Sequence, residues 1–423
     1  MSKKKAFIPE LLSPAGSLKN MRYAFAYGAD AVYAGQPRYS LRVRNNTFNL
    51  ENLEIGIYEA HALKKKLYVV CNIQSHNAKI KTFIRDIEPI IRMNPDALIM
   101  SDPGLIMITL EQFPEIPIHL SVQANAVNWA TVKFWGKHGI KRVILSRELS
   151  LEEIDEIYRF CQGIELEVFV HGALCIAYSG RCLLSSYINK RDANQGTCTN
   201  ACRWLYNIQE EQEDISEKTA LLSESHRPEE KMIMLEDQHG TYILNSKDLR
   251  AVQHVDRLIK IGIHALKIEG RSKSFYYCAR TTQVYRKAID DSIAGRPFDQ
   301  NLTYTLENLS NRGYTEGFLR RHAHQSYQQY DHGQSISNIQ QFVGEFTGKY
   351  HGELAEVEVK NRFMIGDTLE LITPKSNITF TLKTMQNQKF KTIKDAKGNG
   401  YFVFISIPNN TQIEYALLAR KFK

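Results

Sequence analysis

The sequence predicts an α/β protein: a (β/α)8, TIM-like barrel followed by a small C-terminal all-β barrel domain. Its 423 residues are too many for one ordinary hydrophobic core. Short apolar runs alternate with amphipathic stretches over residues 10–270, which is typical of a parallel sheet covered by helices. From about residue 341 the pattern changes to short alternating strands separated by turns. A doubly wound open sheet is the alternative, but SPAGSLKN, after the first strand, is not a glycine-rich dinucleotide fingerprint.

The eight predicted strands are short and nearly continuous in Val, Ile and Leu, as expected of parallel strands that are buried on both faces. They are Glu10–Ser13, Ala31–Gly35, Leu67–Asn72, Ala97–Asp102, Ile118–Gln123, Arg142–Arg147, Glu165–Gly172 and Ala265–Gly270. Helical patterns lie between them, and Gly28 and Gly139 are placed to end two of the helices. Residues suited to cap helix N-termini precede four helical patterns: Ser17, Asn49 or Asn52, Asp102 and Ser150.

The strand spacing breaks once, between the seventh and the eighth strand. An insertion of about residues 173–263 fills this gap. Its polar stretch 210–230 is expected to be a loop, and a hairpin turning at residues 239–240 follows. The chain is therefore divided into a barrel with this insertion, an irregular connector and a β-rich domain, at residues 1–295, 296–338 and 339–423.

The composition indicates a cytoplasmic protein. No apolar run approaches the ~18 residues that a membrane helix needs. The basic start, MSKKKAFIPELL, is not followed by the apolar run of a secretory signal. We therefore expect no membrane association. The net charge of +8 is compatible with a polyanionic partner, but a housekeeping enzyme could carry the same charge.

Four of the seven cysteines follow the seventh strand within residues 175–202. Their spacing is neither that of paired zinc knuckles nor that of bacterial ferredoxins. Four thiolates can nevertheless hold a [4Fe–4S] cluster or a tetrahedral zinc ion, and free structural cysteines remain a third interpretation. Their position after a barrel strand favours a working cofactor. The four candidate ligands are Cys175, Cys182, Cys198 and Cys202; the other three, Cys71, Cys161 and Cys278, are expected in the core.

Polar residues occur at the ends of the otherwise apolar strands, where catalytic groups of such barrels lie. His171 and Glu269 are the candidate catalytic residues. For each, the alternative is a cap or a structural ion pair. Guanidinium groups suit carboxylates and phosphates, so an anionic substrate is expected. The candidate substrate-binding residues of this group are Arg44, Gln123, Asn125, Arg147, Arg271 and Lys273.

Several segments together resemble the peptidase U32 family over most of the chain. The most specific is EVFVHGALCIAYSGRCLLS at residues 167–185, in which two cysteines frame Ser-Gly. Neither HExxH nor GxSxG occurs, so a hydrolytic centre is not indicated. The other matching segments are ELLSPAG (10–16), GADAVYAG (28–35), SVQANA (121–126), KIEGRSKS (267–274) and RGYTEGF (312–318).

The resemblance implies an oxygen-independent hydroxylase with an iron–sulfur cluster on Cys175, Cys182, Cys198 and Cys202. Members most similar to this sequence hydroxylate carbon 5 of the wobble uridine in tRNA, forming 5-hydroxyuridine, and require prephenate. The expected partners are therefore tRNA and prephenate, and a homo-oligomer or a partner subunit is left open. Because prephenate is a dicarboxylate, it is expected to bind Arg147, Arg181 or Arg271.

The resemblance also leaves alternatives. A collagenase-like U32 peptidase is one, and a hydroxylase acting on rRNA or on a quinone precursor is another. Aromatic residues of the β-rich end, such as those of YFVF at residues 401–404, would stack on anticodon bases or fill a small β core.

Overall fold

The computed structural model describes residues 7–36, 38–41, 46–174, 218–224, 227–237, 240–242, 247–311, 313–320, 339–408 and 411–422. In chain order, the first twelve strands are β1 (Glu10–Ala15), β2 (Ala31–Gly35), β3 (Lys66–Cys71), β4 (Ala97–Met100), β5 (Ile118–Leu120), β6 (Arg142–Ile144), β7 (Glu165–Ala173), β8 (Lys218–Glu224), β9 (Arg227–Asp237), β10 (Gly240–Tyr242), β11 (Asp248–Arg250) and β12 (Ala265–Ile268).

Strands β1 to β7 and β12 form a closed parallel barrel. Each pairs in parallel with the next, and β12 pairs with both β7 and β1. The predicted fold class is confirmed. Three predicted strands, which were expected to reach Asp102, Gln123 and Arg147, end two or three residues earlier. These polar residues therefore leave the sheet and lie in the loops that follow the strands.

Helices cover the outside of the barrel, and none in the described ranges is long and apolar enough to cross a membrane. Ser17, Asn49, Asp102 and Ser150 each accept a hydrogen bond from a first-turn amide, as predicted. The described helices are α1 (Leu18–Ala26), α2 (Leu50–Ala62), α3 (Asn77–Ile80), α4 (Phe83–Arg92), α5 (Pro103–Gln112), α6 (Trp129–Lys137), α7 (Leu151–Phe160), α8 (Val255–Ile261), α9 (Phe275–Ile293) and α10 (Asn301–Glu307).

The barrel core has two layers. The outer layer lies between strands and helices and includes Cys71, Cys161 and Cys278, whose predicted burial is confirmed. The inner layer fills the barrel with residues such as Tyr33 and Phe169. As in other eight-stranded barrels, the interior is packed and is not a pore.

The insertion after β7 contains more regular structure than the sequence predicts. Strands β8, β9 and β10 form an antiparallel sheet, which confirms the β9–β10 hairpin. The prediction of a loop at residues 210–230 is wrong from Lys218 onward, because β8 begins at that residue. Strand β11 pairs antiparallel with β7, and β13 (Tyr314–Thr315) pairs with β11. The segment expected to be an irregular connector therefore includes α10 and β13.

The C-terminal domain is an antiparallel half-barrel with its own core. Its main sheet has the strand order β18-β17-β22-β14-β15-β21-β19, while β16 pairs with β20. The predicted β-rich domain is confirmed. The strands are β14 (Gln340–His351), β15 (Leu354–Val359), β16 (Phe363–Met364), β17 (Thr368–Ile372), β18 (Asn377–Thr381), β19 (Met385–Asn387), β20 (Asp395–Ala396), β21 (Phe402–Ser406) and β22 (Leu417–Lys421).

Helices α1 and α9 join the barrel to the C-terminal domain. Arg280 on α9 forms a buried ion pair with Glu370 on β17, at 2.6 Å between Nη2 and Oε1. The Tyr27 hydroxyl on α1 donates to the carbonyl oxygens of Ile372 and Tyr415, at 2.9 and 3.0 Å. Because the partners on both sides are buried or partly buried, these contacts hold the C-terminal domain firmly against the barrel.

Candidate active site at the barrel mouth

The barrel mouth is the rim formed by the C-terminal ends of the barrel strands and the loops that follow them. In this fold the reacting groups lie at that end. Five of the predicted site residues lie in the segments that follow β5, β6 and β12: Gln123, which is in a short 3-10 helix, and Asn125, Arg147, Glu269 and Arg271. The structure therefore brings together side chains that are far apart in the sequence.

A chain of hydrogen bonds runs around one side of the mouth. Arg271 donates from Nη1 to Ser40 Oγ at 2.5 Å and from Nη2 to the Leu41 carbonyl at 2.6 Å. The Leu41 amide donates to Asn72 Oδ1 at 3.0 Å, and Asn72 Nδ2 donates to Gln123 Oε1 at 2.9 Å. Arg271 is only 8% exposed. Arg271 and Gln123 thus fix the loops after β2 and β5, which is a positioning role.

Gly35, the last residue of β2, makes room for this arginine. A Cβ atom at residue 35 would lie 2.6 Å from Arg271 Nη1 and 2.7 Å from Ser40 Oγ. Real Cβ atoms essentially never come this close to another atom, so the buried guanidinium or the Ser40 hydroxyl would have to shift. Glycine is therefore required here by the close approach of the guanidinium group, not by backbone conformation.

Arg147 and Glu269 face each other at the mouth. Arg147 Nη2 lies 4.0 Å from Glu269 Oε2, and both side chains are 17% exposed. Arg147 also donates from Nη1 to the Ala173 carbonyl at 2.7 Å, and its guanidinium lies 4.0 Å from the centre of the Phe169 ring. The Tyr33 hydroxyl lies 3.3 Å from Glu269 Oε2. This group combines a cation, a carboxylate and a hydroxyl in one partly exposed place.

Burial and the nearby Glu269 carboxylate raise the pKa of Tyr33 well above its ordinary value. Tyr33 therefore stays a neutral hydrogen-bond donor; its hydroxyl donates to the Ile268 carbonyl at 2.8 Å. The arrangement can bind an anionic group through Arg147 and can exchange a proton through Glu269.

His171 does not line the open mouth. It is 1% exposed and is enclosed by the rings of Tyr277, Tyr285 and Tyr314, whose centres lie 5.4 to 5.9 Å from its own. Burial lowers the pKa of His171 to about 3, against the opposing effect of Asp248. The imidazole is therefore neutral. Its predicted catalytic role stays a prediction, and its surroundings favour a positioning role.

Asn125 and Lys273 occupy the edge of the mouth. Asn125 has a φ of 52°, in the left-handed region that asparagine tolerates better than most residues. Its side-chain amide donates to the Gln123 carbonyl at 3.2 Å. Lys273 is half-buried, and its Nζ lies 5.4 Å from the centre of the Tyr277 ring. Their predicted contact with substrate stays a prediction.

Buried charges lie deeper in the barrel, and the sequence reasoning missed them. Glu167 is fully buried and accepts hydrogen bonds from Lys267 Nζ at 2.8 Å and Arg142 Nη1 at 3.3 Å. Arg142 also pairs with Glu10 at 2.6 Å. Burial lowers the pKa of Lys267, and Glu167 opposes that effect. The sequence signal for these buried charges was a charged residue within an otherwise apolar run: Arg142 in RVIL, Glu167 in ELEVFV and Lys267 in ALKI.

The candidate cofactor ligands Cys175, Cys182, Cys198 and Cys202 lie outside the described residues, as do Arg44 and Arg181. The described chain reaches Leu174, directly after β7, so the first cysteine follows the mouth end of a barrel strand. Four thiolates are a donor set that suits an iron–sulfur cluster or zinc. Among the described residues, no group of three or more His, Cys, Asp and Glu side chains could hold a metal ion.

Comparison with known proteins identifies the family. The model of peptidase family U32 matches residues 16–329, and the model of the U32 C-terminal domain matches residues 338–420. Together these two models cover both the barrel and the β-rich domain.

Several curated relatives carry RNA-related names. The chain is 65% identical to tRNA hydroxylation protein P of Escherichia coli (strain K12), over 98% of this chain and 97% of the relative. It is 63% identical to the protein of the same name from Haemophilus influenzae, over 98% and 96%. It is also 32% identical to the 23S rRNA 5-hydroxycytidine C2501 synthase of E. coli, over 68% of this chain and 40% of that protein. The chain belongs to peptidase family U32.

Proposed function

We propose that this chain is a cytoplasmic tRNA hydroxylase that converts the wobble uridine of tRNA to 5-hydroxyuridine without O₂. Prephenate is its co-substrate and a [4Fe–4S] cluster its cofactor. The observation that carries the proposal is the 65% identity, over nearly the full length of both chains, to a relative named tRNA hydroxylation protein P. The positive net charge of +8 is consistent with an RNA substrate.

The barrel mouth offers groups that suit this chemistry. Arg147 is partly exposed and lies over Phe169, so it can pair with a carboxylate of prephenate while an aromatic face stays beside it. Glu269 is equally exposed and can hold or release a proton next to the bound substrate. Arg271 and Asn72 keep the loops around these two residues in place. We assign to Arg147 the binding role and to Glu269 the proton-transfer role.

Cys175, Cys182, Cys198 and Cys202 would hold the cluster. When bound, an iron–sulfur cluster supplies one-electron chemistry that needs no O₂. Zinc on the same four thiolates is the competing assignment. Iron and acid-labile sulfide analysis of protein purified without air distinguishes the two; stoichiometric zinc without iron would overturn the cluster.

The tRNA nucleoside profile of a deletion strain tests the function. We expect 5-oxyuridine derivatives to disappear on deletion and to return with the wild-type gene but not with Cys182→Ser. The matched control is Cys161→Ala, which removes a buried cysteine at the end of α7 and should restore the modification. An unchanged profile in the deletion strain, with no redundant pathway present, would refute the proposal.

A hydroxylase acting on rRNA is the second candidate, because one relative is named a 23S rRNA 5-hydroxycytidine synthase. That relative is matched over only 40% of its length. The two candidates differ in the RNA that changes: loss of 5-hydroxycytidine from rRNA, with unchanged tRNA, would favour the second. Cleavage of gelatin by the purified protein would instead support the peptidase activity after which the family is named.

A further inference from the structure

A turn in the C-terminal domain holds an exposed phenylalanine in an unusual backbone conformation. Phe390 has a φ of 58°, which is rare for a bulky residue. Asn387 fixes the turn: its Oδ1 accepts hydrogen bonds from the amides of Lys389 and Lys391, at 2.9 and 3.1 Å. The Phe390 amide donates to the Asn387 carbonyl at 2.8 Å. Strain of this kind persists where the surrounding structure enforces it, and it is concentrated at functional sites.

The Phe390 ring is presented to solvent on an aromatic support. It is 49% exposed and stacks on the ring of His351, with centroids 3.7 Å apart and planes at 15°. Phe404, which is 7% exposed, lies beneath both rings at 5.5 and 5.9 Å. The neighbouring rings hold the Phe390 ring in place while about half of it stays open to solvent. The stack is therefore a preformed platform for another flat ring.

Five lysines lie close to Phe390 in the sequence, between residues 383 and 397. Lys383, Lys389, Lys391, Lys394 and Lys397 are all exposed, and none forms an ion pair with a described residue. The one acidic residue of segment 383–397, Asp395, is paired with Arg362 at 2.9 Å. We call His351, Phe390 and the two lysines of the same turn, Lys389 and Lys391, the aromatic–lysine patch. The charge of these two exposed lysines suits a polyanionic partner.

Phe390 and the residues that contact the barrel lie at different places in the strand order of the C-terminal sheet. The barrel is bound through Glu345 on β14, Glu370 and Ile372 on β17, and Tyr415 before β22. Phe390 follows β19, the edge strand at the other end of the sheet order.

We propose that the aromatic–lysine patch binds an unpaired segment of the RNA substrate, stacking a base on Phe390 and contacting phosphates with Lys389 and Lys391. The chemistry is that of single-strand binding surfaces, which combine aromatic stacking with a basic groove. The inference rests on the proposed function, because it makes the patch a second contact for the same tRNA. It assigns affinity, not catalysis, to the C-terminal domain.

The affinity of the full chain for a labelled tRNA transcript with uridine at the wobble position, measured by fluorescence anisotropy, tests the patch. We expect Phe390→Ala to weaken affinity about tenfold, the loss of roughly one stacked base, and Phe390→Tyr to change it less than about twofold. Phe390→Gly should weaken the affinity as much as Phe390→Ala does. Its melting temperature should be no lower than that of wild type, because glycine adopts a positive φ without strain. Phe134→Ala, at an exposed ring on α6, is the control and should bind as wild type.

The lysines are tested by the salt dependence of the same affinity. Lys389→Ser/Lys391→Ser should lower the slope of log affinity against log salt by about 1.4, roughly 0.7 for each lost phosphate contact. The control Lys137→Ser/Lys141→Ser, in the α6–β6 region below the barrel, should leave the slope unchanged.

The outcomes separate the two proposals. If Phe390→Ala and the lysine pair bind tRNA as wild type does while wild type hydroxylates it, the patch is refuted and the function stands. If the variants lose tRNA binding but wild type hydroxylates no tRNA, the patch stands and the function fails. Equal affinity of wild type for polyglutamate and for a uridine-rich oligonucleotide would show an acidic protein surface as the partner and overturn the RNA assignment.

Discussion

Arg271 and Leu41 are joined across the barrel mouth by a 2.6 Å hydrogen bond from guanidinium Nη2 to the backbone carbonyl. The two residues are 230 positions apart in the chain. Because Leu41 lies in the loop after β2 and Arg271 in the loop after β12, this bond ties the two loops together. Arg271 thus acts on the mouth through the position of its neighbours.

Gly35→Ala should destabilise the protein by about 2 kcal/mol, since the new methyl group forces the Arg271 guanidinium away. Arg271→Lys should cost a similar amount, about 2 kcal/mol, because lysine cannot reach both Ser40 and Leu41. The double variant should cost less than the sum, as both changes break the same contacts. Urea unfolding of wild type, the two single variants and the double variant measures the free energies of unfolding. If the two losses of stability simply add in the double variant, the two residues do not share a contact.

Arg147→Lys should raise the KM for prephenate about tenfold, the loss of one bidentate carboxylate contact worth ~1.4 kcal/mol. The kcat should change little, because lysine keeps the positive charge at the mouth. Steady-state hydroxylation of tRNA at varied prephenate checks this. Arg159→Lys, on the exposed face of α7, is the matched control and should leave both parameters unchanged. A fall in kcat with an unchanged KM would show that Arg147 does not bind the co-substrate.

Glu370→Leu should destabilise the fold by about 3–5 kcal/mol, because it leaves the buried Arg280 without its partner. Arg280→Met/Glu370→Leu should restore part of this loss, since no unpaired charge then remains between the two domains. Thermal unfolding of the single and double variants measures the effect. The exposed pair Arg92–Glu88 is the control, and breaking it should cost less than about 1 kcal/mol. Equal losses for the two pairs would contradict this account.

His119→Phe should flatten the acid side of the stability profile. Burial, together with Arg142 and Lys267, lowers the pKa of His119 well below its ordinary value of 6.5. The unfolded chain therefore binds a proton below pH 6.5 that the folded chain refuses, and stability falls as pH falls. The slope from one such group approaches ~1.4 kcal/mol per pH unit.

Phenylalanine keeps the ring contact with Tyr68, whose centroid is 4.7 Å away, and removes the titration. Relative to wild type, His119→Phe should gain stability steadily between pH 6.5 and 5. Urea unfolding at half-unit pH steps checks this. If the difference in the free energy of unfolding between the two proteins stays constant from pH 6.5 to 5, His119 is not the titrating group.

The sequence was sufficient for the barrel and its capping residues because these depend on local signals. Continuous apolar runs predicted eight buried strands, and Ser17 or Ser150 before a helical pattern predicted its start. The short strand β11 was missed for two reasons. Three residues are too few to show a hydrophobic periodicity, and the pairing of β11 with β7 depends on the tertiary fold.

The candidate site was predicted only in part, because side-chain partners depend on which strands become neighbours. The expected contact of Arg271 with substrate stays a prediction, and the bond by which it fixes the loop at Leu41 was not foreseen. Lys267 and Glu167 are 100 positions apart, and only barrel closure between β7 and β12 makes them partners. Strand ends indicated where the site lies, but the division between binding and positioning residues required coordinates.

The pairing of Ala173 with Asp248 has a consequence for how this family can diversify. Strand β11, which begins about 75 residues after the end of β7, pairs with β7 directly beside the point where the chain leaves the barrel. The cost of closing such an excursion grows only with the logarithm of its length. Evolution can therefore change the length of this segment outside the four candidate ligand cysteines, while the surrounding barrel keeps its geometry.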